Sequence, residues 1–289
     1  MAEVTDADAK GSFMARMNPL NLLKKDTPEA LVKEGRALME RGNYNQAALS
    51  FQRALEKDPK FAGALLAQAD MLLKKGGNQN LKLAITHLQR AAALTPLDDH
   101  IYRTTAKIYR SLNMLKEEQL EMKKLVVVKT LATDPHNAIA NNNMGVLFLQ
   151  QDLANEAMAY FNRAIIGNAK YDVAYRNIGL TYMKMHADGT GPTAKTEAPP
   201  DLLEKAKTNL DKALALHTSA GNLVARARLH MTEQQFEPAL ALCEKASHLD
   251  AANKEALMII KAIHIKFGRL EEAQQAGSML TAIHSTEHK

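Results

Sequence analysis

Two stretches 110 residues apart, GNYNQAALSFQRALEKDP at 42–59 and DLANEAMAYFNRAIIGNA at 152–169, spell nearly the same amphipathic segment. Self-similarity at a fixed period marks a stacked array, whose units are each too small to bury their own apolar face and complete a core only against neighbours. The period here is about 34 residues, marked by Ala54, Ala91, Ala164, Ala213 and Ala246. Each has an apolar residue three positions earlier (Phe51, Leu88, Phe161, Leu210, Cys243) and another alanine seven positions earlier (Ala47, Ala84, Ala157, Ala206, Ala239). Those spacings keep one face of a helix. The 110-residue offset exceeds three periods by 8 residues, which we assign to about 3 in KKGGNQNLK and about 5 in a lengthened helix around EEQLEMKKLVVVKT.

The helix preceding each of these carries its own signature: a large side chain, then Gly or Ala four positions on, then a large side chain three further. It reads Leu31, Gly35, Leu38; Leu65, Ala69, Leu72; Tyr102, Ala106, Tyr109; Tyr175, Gly179, Tyr182; and Leu223, Ala227, His230. The small residue lets two helical backbones approach while its large neighbours fill the grooves on either side. Pro59, Pro96 and Pro135 close units, because proline cannot continue a helix interior. Thr27, Pro28 and Glu29 read as an N-cap, a proline in the first turn and an acid that complements the helix dipole.

This set of positions resembles the tetratricopeptide repeat family, with its aromatic or Leu, Gly or Ala, Tyr, Ala, Phe, Ala and Pro pattern, over about residues 28–282. The resemblance implies an all-α fold, an α-solenoid of about seven helix-turn-helix hairpins forming a right-handed superhelix. The expected units are about 28–61, 62–98, 99–137, 138–171, 172–219, 220–253 and 254–282, within a repeat domain at 18–282 flanked by tails at 1–17 and 283–289. Several positions depart from the pattern. Asn141 replaces the first large residue of unit four, Glu118 and Leu125 stand where alanines recur in unit three, and Ala169, Thr218 and Ala251 replace the terminal proline. In unit seven Lys261 and Gly277 occupy packing positions, which suits a terminal cap whose outer face meets water. The stretch 187–200, rich in Gly, Pro and Thr, reads as a surface loop inside unit five, with the helix resuming at Leu202.

Composition excludes more than it selects. Apolar residues form 46% of the chain and charged residues 24%, which describes a folding chain rather than a disordered one. No run of 18 apolar residues is present and the N-terminal stretch lacks an apolar h-region, so neither a membrane span nor a secretory signal is expected and the cytoplasm is the expected compartment. The net charge of +5 is spread over 37 basic and 32 acidic residues, and aromatics make up only 5%, so a basic surface with stacking rings for nucleic acid is not expected. There is no phosphate loop, CxxC, HExxH or nucleophile-elbow motif, so no catalytic residue, cofactor or metal is expected and the chain is read as no enzyme. His284 and His288 are spaced for a metal on a helix but lack a third ligand. Cys243, the single cysteine, reads as a buried small hydrophobe, and most of the 14 methionines read as core filler.

The family resemblance further implies that the first helices of successive hairpins line a concave groove for a partner segment. Its exposed positions fall here on Val32, Lys33 and Arg36; on Arg103, Lys107 and Arg110; on Asn142, Asn143, Val146 and Leu149; on Arg176, Asn177, Leu180 and Lys184; and on Arg226 or Arg228. Asn143 and Asn177 share one unit position, where a carboxamide offers both donor and acceptor to a peptide backbone. The expected partner is a protein or peptide segment mixing acidic and apolar residues. Alternatives are a regulatory or localising subunit that touches an enzyme through 187–200, and weak homo-oligomerisation through the C-terminal unit.

Overall fold

The computed structural model describes residues 27–189 and 202–287, so the tail 1–17 and most of the loop 187–200 lie outside the described residues. The described residues form fourteen α-helices and no strand. They are α1 (Pro28–Glu40), α2 (Tyr44–Lys57), α3 (Ala62–Lys75), α4 (Asn78–Leu94), α5 (Asp99–Ser111), α6 (Leu115–Thr133), α7 (Ala138–Leu149), α8 (Ala154–Gly167), α9 (Asp172–Ala187), α10 (Leu202–Leu216), α11 (Ala220–Thr232), α12 (Phe236–Leu249), α13 (Lys254–Lys266) and α14 (Leu270–Glu287). Consecutive helices pair as seven hairpins, the solenoid arrangement of the expected fold. The chain divides into two compact units, Met1–Ala132 and Thr133–Lys289. The extra length falls where the sequence places it: α4 has 17 residues and α6 has 19, against 14 in α2.

In the first unit α1 starts as read, with Thr27 Oγ1 accepting from the Ala30 amide at 3.2 Å and proline in the first turn. Its close approach to α2 is literal. A methyl group added at Gly35 would overlap the ring of Phe51, with Cδ1 at 2.7 Å, and that ring is completely buried. Ala69 and Leu88 are buried at the matching positions of α3 and α4. On α6, Glu118 occupies an alanine position and is buried, but its carboxylate accepts from Arg110 Nε on α5 at 2.7 Å. An ion pair thus replaces a close apolar contact, an exchange that is neutral at best for stability.

The second unit repeats the first hairpin. A methyl group on Gly145 would overlap Phe161, whose Cδ1 lies at 2.6 Å, and one on Gly179 would meet Leu210 Cγ at 2.6 Å. Farther along, Ala227 and Cys243 join Leu223, Leu240, Ala256, Ile260 and Ile263 in one buried cluster, which seats α13 in the groove between α11 and α12. Phe148 stacks on Tyr160 with ring centroids 5.2 Å apart, and Arg163 lies over the outer side of Tyr160. Five of the turns within hairpins carry one left-handed residue each, Gly42, Asn113, Asp152, Gln234 and Gly268, and the α3–α4 turn carries two, Gly76 and Gly77. Asparagine and aspartate tolerate that backbone; glutamine does so at a cost of about 1 kcal/mol.

The departure at Asn141 has a physical reason. Tyr102 donates its hydroxyl to the Pro96 carbonyl at 2.9 Å, and Asn141 Nδ2 donates to the Pro135 carbonyl at 2.8 Å, each reaching six residues back to the proline that ends the previous hairpin. Asn141 donates also to the Asn137 carbonyl at 2.9 Å, so its buried amide is satisfied. Two unlike side chains thus serve the same end, tying the start of a first helix to the preceding turn.

Candidate partner-binding surface

First helices pack on first helices in both units, α1 on α3 and α9 on α7 and α11, which aligns their outer faces. In the first unit those faces are joined by charge. Asp70 on α3 lies 3.6 Å from Arg36 of α1 and 3.9 Å from the His100 imidazole of α5. Beside it Arg36, Met39, Glu40, Asp70, Leu73 and Lys74 line an open hollow of about 380 Å³. Arg103 pairs with Asp99 one turn earlier on its own helix. Arg110 is drawn to Glu118, whose hydrogen bond and charge raise the guanidinium pKa. Lys107 alone of this expected trio is exposed with no acidic partner among the described residues.

In the second unit the faces are joined by amides. Asn177 on α9 donates to Asn142 Oδ1 on α7 at 2.8 Å, and Asn142 in turn reaches Asn143 Oδ1 at 3.5 Å. Asn142 is buried and Asn143 exposed, with Val146, Leu149 and Leu180 half-buried alongside. Arg176 donates to Asn222 Oδ1 at 3.3 Å, and Asn222, fully buried on α11, gives its own amide to Asp172 at 2.8 Å and to the His217 carbonyl at 2.8 Å. Lys184 bridges Asp152 and Asp188 at 3.0 Å each; the hydrogen bond to Asp188, then that to Asp152, raises its pKa. Arg226 turns toward α10 and holds Asp211 at 2.7 Å, largely buried, whereas Arg228 is exposed and pairs with Glu255 of α13 at 3.3 Å. Of the two arginines the sequence left open, Arg228 stands on the outer face.

Most of the expected cations therefore spend their charge within the protein, and in each unit the exposed faces of the first helices are less basic than their residue types imply. Two further residues, Asp70 and Asn222, join first helices without having been expected to. Asp70 follows the small residue Ala69 as Arg36 follows Gly35, one period of 34 earlier, and that offset was a usable signal. Nothing in the sequence marks Asn222, whose partners come from three separate segments. Cys243 is buried as expected, its thiol pushed up to about 12 by burial and then by Glu255 and Glu244, which makes it a poor nucleophile. Among the described residues no cluster of three or more His, Cys, Asp or Glu is arranged to hold a metal ion, and no helix is long and apolar enough to cross a membrane. The side chain of His284 and all of His288 lie outside the described residues.

Residues 32–109 match the tetratricopeptide repeat family model. That match covers less than half of the chain, and paired helices continue beyond it to α14. A curated relative, cellulose synthase operon protein C of Xanthomonas axonopodis pv. citri (strain 306), is 24% identical over 242 residues, 84% of this chain; the match spans 15% of that protein's length. Among solved structures, a thermophilic TPR protein of Thermus thermophilus is 20% identical with a TM-score of 0.32, covering 82% of this chain and 99% of its own. The APC/C hetero-tetramer Cut9–Hcn1 is 16% identical with a TM-score of 0.39, covering 82% of this chain and 43% of that one.

Proposed function

We propose that the chain is a non-enzymatic scaffold or adaptor that holds a segment of another protein against the outer faces of its first helices. The supporting observation is the amide row of the second unit. Asn142 is fixed by Asn177, which leaves the side-chain carbonyl of Asn177 and the side-chain amino group of Asn143 without partners among the described residues, one acceptor and one donor beside Val146, Leu149 and Leu180. A peptide backbone offers the complementary pair of groups. Binding at 1 μM requires about 8 kcal/mol. A net hydrogen bond supplies about 0.5–1.5 kcal/mol and an exposed ion pair about 0.2–1. With most cations already paired, apolar burial at about 25 cal/mol per Å² must supply the larger share. The segment that fits is apolar, with acidic groups placed to meet residues such as Lys107.

The test is affinity purification of the full chain with mass spectrometry, followed by calorimetry on each identified partner. Val146→Glu with Leu180→Glu should abolish capture of a direct partner, whereas Ile166→Glu, an exposed site on the second helix α8, should leave it intact. Partners retained by the face variant and lost by the α8 variant would refute the assignment.

A further inference from the structure

One hairpin does not seat the large side chain of its second helix. Met122 on α6 stands 71 residues after Phe51, as Glu118 stands 71 after Ala47, so it occupies the position held in other hairpins by Leu88, Phe161, Leu210 and Cys243. Those residues and Phe51 are at most 1% exposed, whereas Met122 is 43% exposed. The reason lies in the acids that replace small residues on this helix, since a buried carboxylate must keep a cation beside it. Glu118 accepts from Arg110 Nε of α5 at 2.7 Å, and Glu121, at the position of Ser50, is buried with Lys124 Nζ at 2.7 Å. α6 thus turns Glu118, Glu121, Leu125 and Val128 inward and Met122 outward. Leu115 and Val126, 59% and 62% exposed, stand seven positions before Met122 and four after it, so the three form one stripe along the helix.

The borders of the stripe are basic. Helical spacing puts Lys116 and Lys123 on one side of it and Lys129 on the other, and all three are exposed. Glu118 and Glu121 lie on the buried side, and Glu117, half-buried, is across the helix from Leu115. We propose that this stripe docks an amphipathic helix of another protein, one whose apolar seam is bordered by Asp and Glu. Apolar residues at i, i+7 and i+11 have the spacing of a helix–helix seam, and lysines at its borders select acids across it. A second copy of the chain does not fit, because its own α6, parallel or antiparallel, would set lysines against lysines. An anionic lipid surface matches the charge but not the shape. The stripe is narrow, α6 has no aromatic residue, and the opposite face of the helix is packed into the fold. This surface belongs to a second helix, so it is independent of the first-helix faces proposed above.

The experiment uses the full-length chain and a labelled synthetic peptide of about three heptads, with Leu along the seam and Glu at its borders, whose mutual repulsion keeps it from pairing with itself. Fluorescence anisotropy should show saturable binding, and a peptide with Lys in place of Glu should bind at least about tenfold more weakly. Met122→Glu with Val126→Glu should weaken the Glu peptide at least about tenfold. Lys116→Glu with Lys123→Glu should exchange the preference, losing the Glu peptide and gaining the Lys peptide, a result that loss of fold cannot imitate. Val146→Glu with Leu180→Glu should leave binding of the Glu peptide unchanged. If that variant loses the peptide while both α6 variants keep it, the inference fails and the first-helix reading stands. Equal affinity for the two peptides, binding of neither, a wild-type dimer that the α6 variants abolish, or association with phosphatidylserine vesicles in place of the peptide would each overturn it as well.

Discussion

The hairpins α1–α2 and α7–α8 stand 110 residues apart and bury the same contact, Gly35 under Phe51 and Gly145 under Phe161, to within 0.1 Å at the ring Cδ1. Their outer faces share almost nothing. α1 offers Arg36 to Asp70 of α3, while α7 offers Asn142 to Asn177 of α9. Backbone approach admits few side chains, so the contact between paired helices is held constant. A face that meets water or a partner admits many, so it has diverged. Shared residues therefore report on folding, and unshared ones report on what each face recognises.

The largest test of that division removes the shared contact. Phe161→Ala should cost about 3–5 kcal/mol, and Phe51→Ala should cost a similar amount in its own unit, read from denaturant unfolding followed by circular dichroism. Unequal costs would break the equivalence of the two hairpins. Next, Asn222→Leu should cost about 2–4 kcal/mol, because it strands Asp172 and Arg176 together with the buried Ala213 carbonyl. The first unit should contain no amide substitution of that size, since its faces are joined through exposed charge. Gly145→Ala and Gly35→Ala set overpacking of about 1–3 kcal/mol against about 1 kcal/mol gained in helix propensity. Both should come out modestly destabilising in the same unfolding experiment.

Smaller effects sharpen the comparison. Tyr102→Phe should cost about 0.5–1.5 kcal/mol, the worth of its bond to the Pro96 carbonyl, while Lys107→Ala and Asn143→Ala should stay within about 0.5 kcal/mol in thermal melts even where they weaken partner capture. Cys243 supplies a pH dependence. Its folded pKa of about 12 exceeds that of the unfolded thiol, so the fold favours the protonated form. The stability this gives is complete below about pH 8.5 and is lost as pH rises toward 12. A thiol reagent at about pH 8 should modify the native chain at least about tenfold more slowly than the unfolded one.

Much of the fold was legible because its constraints are local and periodic. The alanine and small-residue positions, the Thr27 cap, the lengthened α4 and α6 and the restart at Leu202 all follow from helical spacing and cap chemistry. Legibility was lower at the surface. Arg103, Arg110, Lys184 and Arg226 carry the right charge at the expected unit positions, yet each is claimed by an acid: Asp99 and Asp188 stand at i,i+4 spacing and were readable, whereas Glu118, Asp152 and Asp211 were not. The apparent faults Asn141 and Glu118 were readable as departures. Their compensation, through the Pro135 carbonyl and the Arg110 guanidinium, was not.

By itself the sequence determined that the chain pairs its helices and where each pair begins, because backbone hydrogen bonding and the size of a buried side chain act within a few residues and repeat with every unit. Only the tertiary structure decided which polar groups remain free to meet a partner. A charge or an amide is neutralised by whatever folding brings within about 3 Å of it, and for Asn177 and Arg176 those neighbours lie 35 and 46 residues away along the chain.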